Sequence, residues 1–475
     1  MKRIYKLAVA TAMAGGLLIS ATSAGATPGP PAGYGNDGKA DIIVGGGSDT
    51  TYRAMVGLTD LYNGAPGCTV NTTRGPDLNN CTYSANPADP ADAASLGNYD
   101  HDTLAQANPT GSGAGVGSLN GFCSGCTVTY NGSNGNVDMA RSSSGPKTTG
   151  GAISGGNELA GDTFWGFSQD GLEVMSFESR GAQLQAVGGS ALTPNDIFKI
   201  YNCDYTKWSD VPSLGIAVGS ATDGPIVPWG MNASSGTYGT FNTYLIANGG
   251  APAGWTANGQ SCVRFKGGYV SGGAAASTAP FENDIKQIFN SVPAANLAPT
   301  DYASKDNPNN WLWWGSYGEL SAFSYKSNYT YPVGTGNTWN AIPTPVNGIL
   351  PSSSRILANT YPIGRTLYHV TKNTDADCPG ATNPGDPCQF TANPGPTLPS
   401  GTGNDLNVIG ATGGKGGAVR EFTRWLCRSG SAAQAIDPYT GKNYSGEIAT
   451  AINNAGFTVV PASLRTAGSA CSVKS

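Results

Sequence analysis

The sequence predicts an α/β fold. Two observations carry that expectation. A strand, a turn rich in Gly, Ser and Thr, and a helix follow one another at residues 40–62 and again at 227–249. Helical spacing of Tyr52, Val56 and Thr59, with Met55, Leu58 and Tyr62, marks a helix face in the first unit, and Tyr238, Phe241 and Leu245 fall at helical spacing in the second. At 475 residues the chain is long enough for two or three domains.

The elements follow in order. Met1 to Lys6 is basic, Leu7 to about Ser20 is apolar, and Ala24-Gly-Ala26 fits a signal cleavage site. Removal of residues 1–26 and secretion are expected. No Cys follows the apolar run before Cys68, so no lipid anchor is expected. Residues 27–39 read as a loose leader. Ala40 to Val44 reads as a buried strand, Gly45 to Thr51 as a tight turn, and Tyr52 to Tyr62 as a helix. Residues 64–108, rich in Asn, Pro and Asp, read as a surface insertion. Gly111 to Gly117 is a glycine run that matches neither dinucleotide-binding nor phosphate-loop spacing. Asn136 to Gly145 is a strand that ends in three serines and carries Arg141. Thr163–Phe167 and Leu172–Phe177 read as two buried strands. Thr193 caps a helix that begins at Pro194.

The stretch Val227 to Gly249 is the clearest unit. Ser234 or Ser235 is the expected N-cap, and Gly236 lets the backbone approach a neighbour. The free N–H groups of such a helix start, with Ser and Thr hydroxyls, form a cup of donors suited to an oxyanion. Glu282 to Phe289 reads as a short helix. The aromatic run Trp311 to Tyr317 is expected in the core. Tyr361 to Val370 reads as a strand, 375–404 as a second insertion, Ala418 to Cys427 as a helix, and Glu447 to Pro461 as a closing helix and strand.

Charged residues are 12% of the chain and the net charge is −5, which disfavours nucleic acid as a partner. Ten Cys in a chain with a secretory leader point to disulfides. Cys68–Cys81, Cys123–Cys126 and Cys378–Cys388 are the short-range pairs expected; for the other four, Cys203–Cys262 with Cys427–Cys471 is one of the pairings that sequence leaves open. Only His101 and His369 are present, and neither a nucleophile elbow nor zinc spacing occurs. No catalysis, metal or cofactor is expected.

Four of these motifs in this order, at 45–51, 111–117, 138–145 and 234–237, resemble the extracytoplasmic phosphate-binding proteins of ABC transporters. The segments Tyr361–Tyr368, Glu421–Leu426 and Gly456–Pro461 are also similar. The resemblance implies a two-lobed, periplasmic-binding-protein-like fold. Each lobe is a mixed sheet flanked by helices, with the ligand in the cleft between them. Residues 40–175 with 356–475 would form one lobe and 176–355 the other. It also implies a monomer that captures phosphate or a related oxyanion and passes it to a permease. Carried across by position, Ser235, Gly236 and Thr237 face Ser48, Asp49 and Thr50, and Ser142 and Ser143 complete the cup. Family members commonly carry an Arg and an Asp just before the Ser-Gly-Thr turn; Met231 and Ala233 stand there in this chain. An Asp of the third loop is replaced by Ser143. Arg141 and Asp49 are therefore the charged residues expected at the anion: Arg141 by a bidentate contact or by pairing with Asp49, and Asp49 by accepting the anion's proton. A surface or matrix-binding protein that keeps the fold without the anion is the alternative class.

Overall fold

A computed structural model describes residues 42–63, 103–107, 111–120, 137–149, 162–187, 192–233, 235–264, 300–318, 337–372, 444–466 and 469–474, with short pieces between. The leader, most of both insertions, the three short-range Cys pairs and the helix expected at 282–289 lie outside the described residues.

The fold is mixed α/β, built on two mixed sheets that share one strand. The strands used below are β1 (Ile42–Gly47), β2 (Thr103–Gln106), β3 (Met139–Ser142), β4 (Asp162–Phe177), β5 (Val227–Pro228), β6 (Trp311–Ser316), β7 (Tyr329–Val333), β8 (Asn337–Thr344), β9 (Gly364–Lys372), β10 (Thr458–Val459) and β11 (Ser472–Lys474). The helices are α1 (Tyr52–Asn63), α2 (Ser112–Leu119), α3 (Glu178–Ala186), α4 (Pro194–Tyr201), α5 (Gly236–Tyr244), α6 (Ser353–Leu357) and α7 (Ser445–Asn454). The strand order is β5-β6-β4-β9-β3-β1-β2. β1 pairs in parallel with β2 and β3, and β5 with β6. β4 runs antiparallel to every strand beside it.

β4 corrects one expectation. The sequence reads as two apolar strands broken at Ser168 to Gly171, yet the structure has one strand of 16 residues, buried throughout. The polar run between them does not turn the chain, because its two most polar side chains, Gln169 and Asp170, find partners inside. Gln169 donates to Thr366 Oγ1 at 2.6 Å, and Asp170 takes an Arg. A register shift between Gly166 and Ser168 absorbs the local irregularity. From Asp162 to Gly171 the strand pairs with β9; from Leu172 to Phe177 it pairs with β6 and β8.

The apolar core divides along the same strand. Leu172, Val174, Met175 and Phe177 join a core built around Trp208, Trp229, Trp311, Trp313 and Trp314. Phe164, Trp165 and Phe167 belong to two further clusters, formed with α1, β3, β9 and residues such as Phe422 and Trp425. The Trp run of β6 is fully buried, and Trp314 stacks on Phe241 of α5 with centroids 4.1 Å apart. That contact fixes α5 against the sheet and so fixes where its N-terminus points.

Local signals explain the helices. Thr193 accepts from Asp196 N–H at 3.1 Å while Asp196 takes the Thr193 N–H, a reciprocal cap with Pro194 at the first position. α5 runs on as a wider turn over Leu245–Gly249 and ends at Gly250, φ +84°. The disulfides Cys203–Cys262 and Cys427–Cys471 are present. No helix among the described residues is long and apolar enough to cross a membrane.

Candidate functional site

Four turns converge beside β4. The first leaves β1. Gly47 has φ +122°, and a Cβ there would stand 2.5 Å from the carbonyl oxygen of Arg141. Ser48 N–H then donates to that same carbonyl at 3.0 Å, and Thr51 N–H reaches Ser48 Oγ at 3.4 Å, turning the chain into α1. The second turn opens α2. A Cβ on Gly115 would lie 2.4 Å from Gly47 Cα, so the glycine run sets how closely α2 lies on β1. Its chemistry is packing, with Gly111 N–H bonded to Gly47 O at 3.1 Å.

The third turn follows β3. Ser143 N–H donates to Ser112 Oγ at 3.0 Å, and the two hydroxyls lie 3.2 Å apart. Ser142 donates its hydroxyl to Ser144 O at 2.8 Å and is satisfied within its own turn. The fourth turn starts α5. Ser235 is the N-cap, its Oγ accepting from Thr237 N–H at 3.1 Å. Gly236 is pressed against the second and third turns: a Cβ there would stand 2.5 Å from the hydroxyls of both Ser112 and Ser143. Thr237 Oγ1 lies 3.2 Å from Thr50 Oγ1, a contact between residues 187 apart in sequence. Thr50, Ser143 and Thr237 are fully buried, and Ser48, Ser112 and Ser235 nearly so. The helix starts at Tyr52, Ser112 and Gly236 thus gather around one group of hydroxyls. Their partial positive ends favour an anion there.

Arg141 does something other than expected. Four of its N–H groups are occupied: Nε by Ser48 O at 3.2 Å, Nη1 by Gly45 O at 3.0 Å and Gln106 Oε1 at 2.7 Å, and Nη2 by Ala107 O at 3.1 Å. Its guanidinium lies 5.0 Å from the Tyr52 ring. Burial lowers its pKa to about 10, opposed by Tyr52 and Asp49. Arg141 therefore ties β1, β2 and the Ser48 turn together from behind. Asp49, half-buried, is felt by that charge, while its own backbone carbonyl receives Tyr52 N–H at 3.0 Å.

The cation that enters the hydroxyl group is Arg365. It lies on β9, directly opposite Asp170 of β4 in the antiparallel register. Its Nε and Nη2 donate to Asp170 Oδ2 at 2.9 and 2.6 Å. Its Nη1 donates to Thr237 Oγ1 at 2.7 Å and to Ser143 O at 3.3 Å. Asp170 also accepts from Ser316 Oγ and from Gly318 N–H, each at 2.9 Å. Asp170 and Arg365 escaped the sequence reading because the pair is 195 residues apart. The available signal was an Asp and an Arg set in the middle of largely apolar stretches.

His369 is no partner for these hydroxyls. It is buried on β9, with Nε2 2.8 Å from Thr423 Oγ1 and its ring edge-on to Phe422.

No family model and no curated protein matches the chain. Solved structures do. One from Clostridium perfringens, described as a phosphate ABC transporter substrate-binding protein with bound phosphate, shares 13% identity over 88% of this chain and 100% of its own, with a TM-score of 0.42. An ABC-type phosphate transport receptor from Vibrio cholerae shares 17% over 70% and 88%, TM-score 0.36. PstS from Borrelia burgdorferi shares 15% over 70% and 88%, TM-score 0.33. The chain is similar to these in outline only.

Proposed function

We propose that the protein is a secreted solute-binding protein that captures phosphate or a related tetrahedral oxyanion and serves ABC-type uptake. One lobe would combine residues 40–175 with 356–475 and the other would comprise 176–355, with the anion held between them as a monomer binds it. The observation that carries the reading is the convergence of Thr50, Ser112, Ser143 and Thr237 from four separate turns onto one buried cluster at three helix starts. Ordinary capped helices do not require their first turns to meet. A buried group of hydroxyls and backbone N–H donors, with a guanidinium among them, is matched chemically to an acceptor-rich ligand. Ser48, Asp49, Ser142 and Ser235 shape the turns that present these groups, and Gly236 sets their spacing.

The test is direct. The full chain is unfolded and refolded to remove any carried ligand, then titrated calorimetrically with phosphate, arsenate and sulfate. Saturable binding of one anion per chain is expected. A refolded, native-like protein that takes up none of the three refutes the reading.

A further inference from the structure

The stretch from Val227 to Gly249, which builds the donor turn of α5, contains no charged side chain. Helix starts supply only partial charges, and a buried anion without a full counter-charge is costly. Among the described residues three guanidinium groups are deeply buried: Arg141, Arg180 and Arg365. Arg141 is consumed by carbonyls behind the turns, as set out above. Arg180 is consumed elsewhere, donating to Gln183 Oε1 and Thr222 O, with its guanidinium 4.7 Å from the Trp208 ring. Arg365 alone of the three donates to the hydroxyl cluster.

We propose that Arg365 is the anion-contacting cation of the site and that Asp170 is its positioning residue. The inference rests on the oxyanion reading above and assigns the charge within it. Asp170 is held by Ser316 Oγ and Gly318 N–H from the β6 side and takes the Nε and Nη2 N–H groups along one edge of the Arg365 fork. The guanidinium can then present one orientation, with Nη1 directed at Thr237 and Ser143. That hydrogen bond also polarises the Thr237 hydroxyl, making it a stronger donor in turn. Because Asp170 cancels the formal charge of Arg365, the pair contributes a directed, charge-assisted donor rather than a general positive field. It selects for ligands that can receive several hydrogen bonds in fixed directions, which is the chemistry of tetrahedral oxyanions and not of halides.

Inorganic phosphate is titrated into the refolded full chain and into Arg365→Gln, Arg365→Lys and Ser316→Ala, with thermal unfolding of each measured with and without phosphate. Phosphate affinity should fall at least ~100-fold in Arg365→Gln and ~10-fold in Arg365→Lys, which keeps the charge and loses the fork. Ser316→Ala, which leaves the charges in place and loosens Asp170, should weaken binding about threefold or more at a nearly unchanged melting temperature. A purely structural ion pair would show the opposite, with lower melting temperatures and unaltered affinity. Folded Arg365→Gln or Arg365→Lys protein that binds phosphate as wild type does overturns the assignment while the oxyanion reading stands. If Arg365→Gln does not fold, Arg365→Lys and Ser316→Ala decide the matter. Wild-type protein that binds neither phosphate nor any other oxyanion removes both.

Discussion

Replacing Gly236 by Ala tests whether the turns must meet. The added methyl would stand 2.5 Å from Ser112 Oγ, 2.5 Å from Ser143 Oγ and 3.0 Å from the Ser143 carbonyl carbon. The hydroxyls can rotate away, at the loss of the Ser112–Ser143 hydrogen bond, worth about 1 kcal/mol. The Ser143 backbone cannot, because Arg365 and Ser112 hold it at the end of β3. Overpacking of this kind costs about 1–3 kcal/mol. The helix gains at most about 1 kcal/mol from exchanging Gly for Ala, and less at its first residue. The net is a loss of about 1–3 kcal/mol, concentrated where α5 meets α2 and β3 and not within any of the three apolar clusters. At 1.4 kcal/mol per tenfold, phosphate affinity should fall about 10- to 100-fold. Calorimetry reads the affinity, and denaturant unfolding confirms that the cores are intact. Unchanged or tighter binding by a folded Gly236→Ala protein refutes the idea that the ligand depends on this close approach.

Other perturbations separate scaffold from site. Arg141→Met should cost about 3 kcal/mol, since three carbonyls lose a donor at about 1 kcal/mol each; a variant with wild-type denaturation midpoint but no anion binding would instead put Arg141 on the ligand. Burial holds the pKa of His369 down at about 3, against about 6.5 in an unfolded chain. Its neutral form therefore adds stability that is complete above pH ~6.5 and is lost as pH falls toward ~3, by up to about 5 kcal/mol. His369→Gln should flatten that acid limb in melting experiments, and an unaltered limb would assign it to other groups. Small-angle scattering should show a smaller radius with saturating phosphate, as expected when donors lie on two lobes, and identical profiles would count against closure.

Much of the fold was legible because it is local. The cap at Thr193, the glycine before α1 and the Ser-Gly-Thr start of α5 each depend on neighbours in sequence. The convergence of the motifs could be inferred only through their order along the chain. What stayed hidden depends on strand register. Ser168 to Gly171 looks like a turn until β9 supplies partners for it. Arg141 looks like a ligand residue because it begins a run of serines, yet side chains alternate along a strand and its guanidinium finds the carbonyls of Gly45 in β1 and of Ala107 just beyond β2 instead. Arg365 becomes visible only when register places it across from Asp170.

The position of β9 sets an order on assembly. β3 and β4 are near neighbours in sequence, yet β9 lies between them in the sheet. β3 and β4 cannot close on one another; a gap between them stays open for a segment made almost two hundred residues after Phe177. Until Gly364–Lys372 arrives, β3 and β4 each present a bare edge, and such edges recruit foreign strands. The Trp-rich core has no such debt, since β5, β6 and β8 all arrive before β9. A chain with this topology gains most from staying extended until it is complete. The slow step of its folding should be the insertion of β9, the same event that brings Arg365 to Asp170.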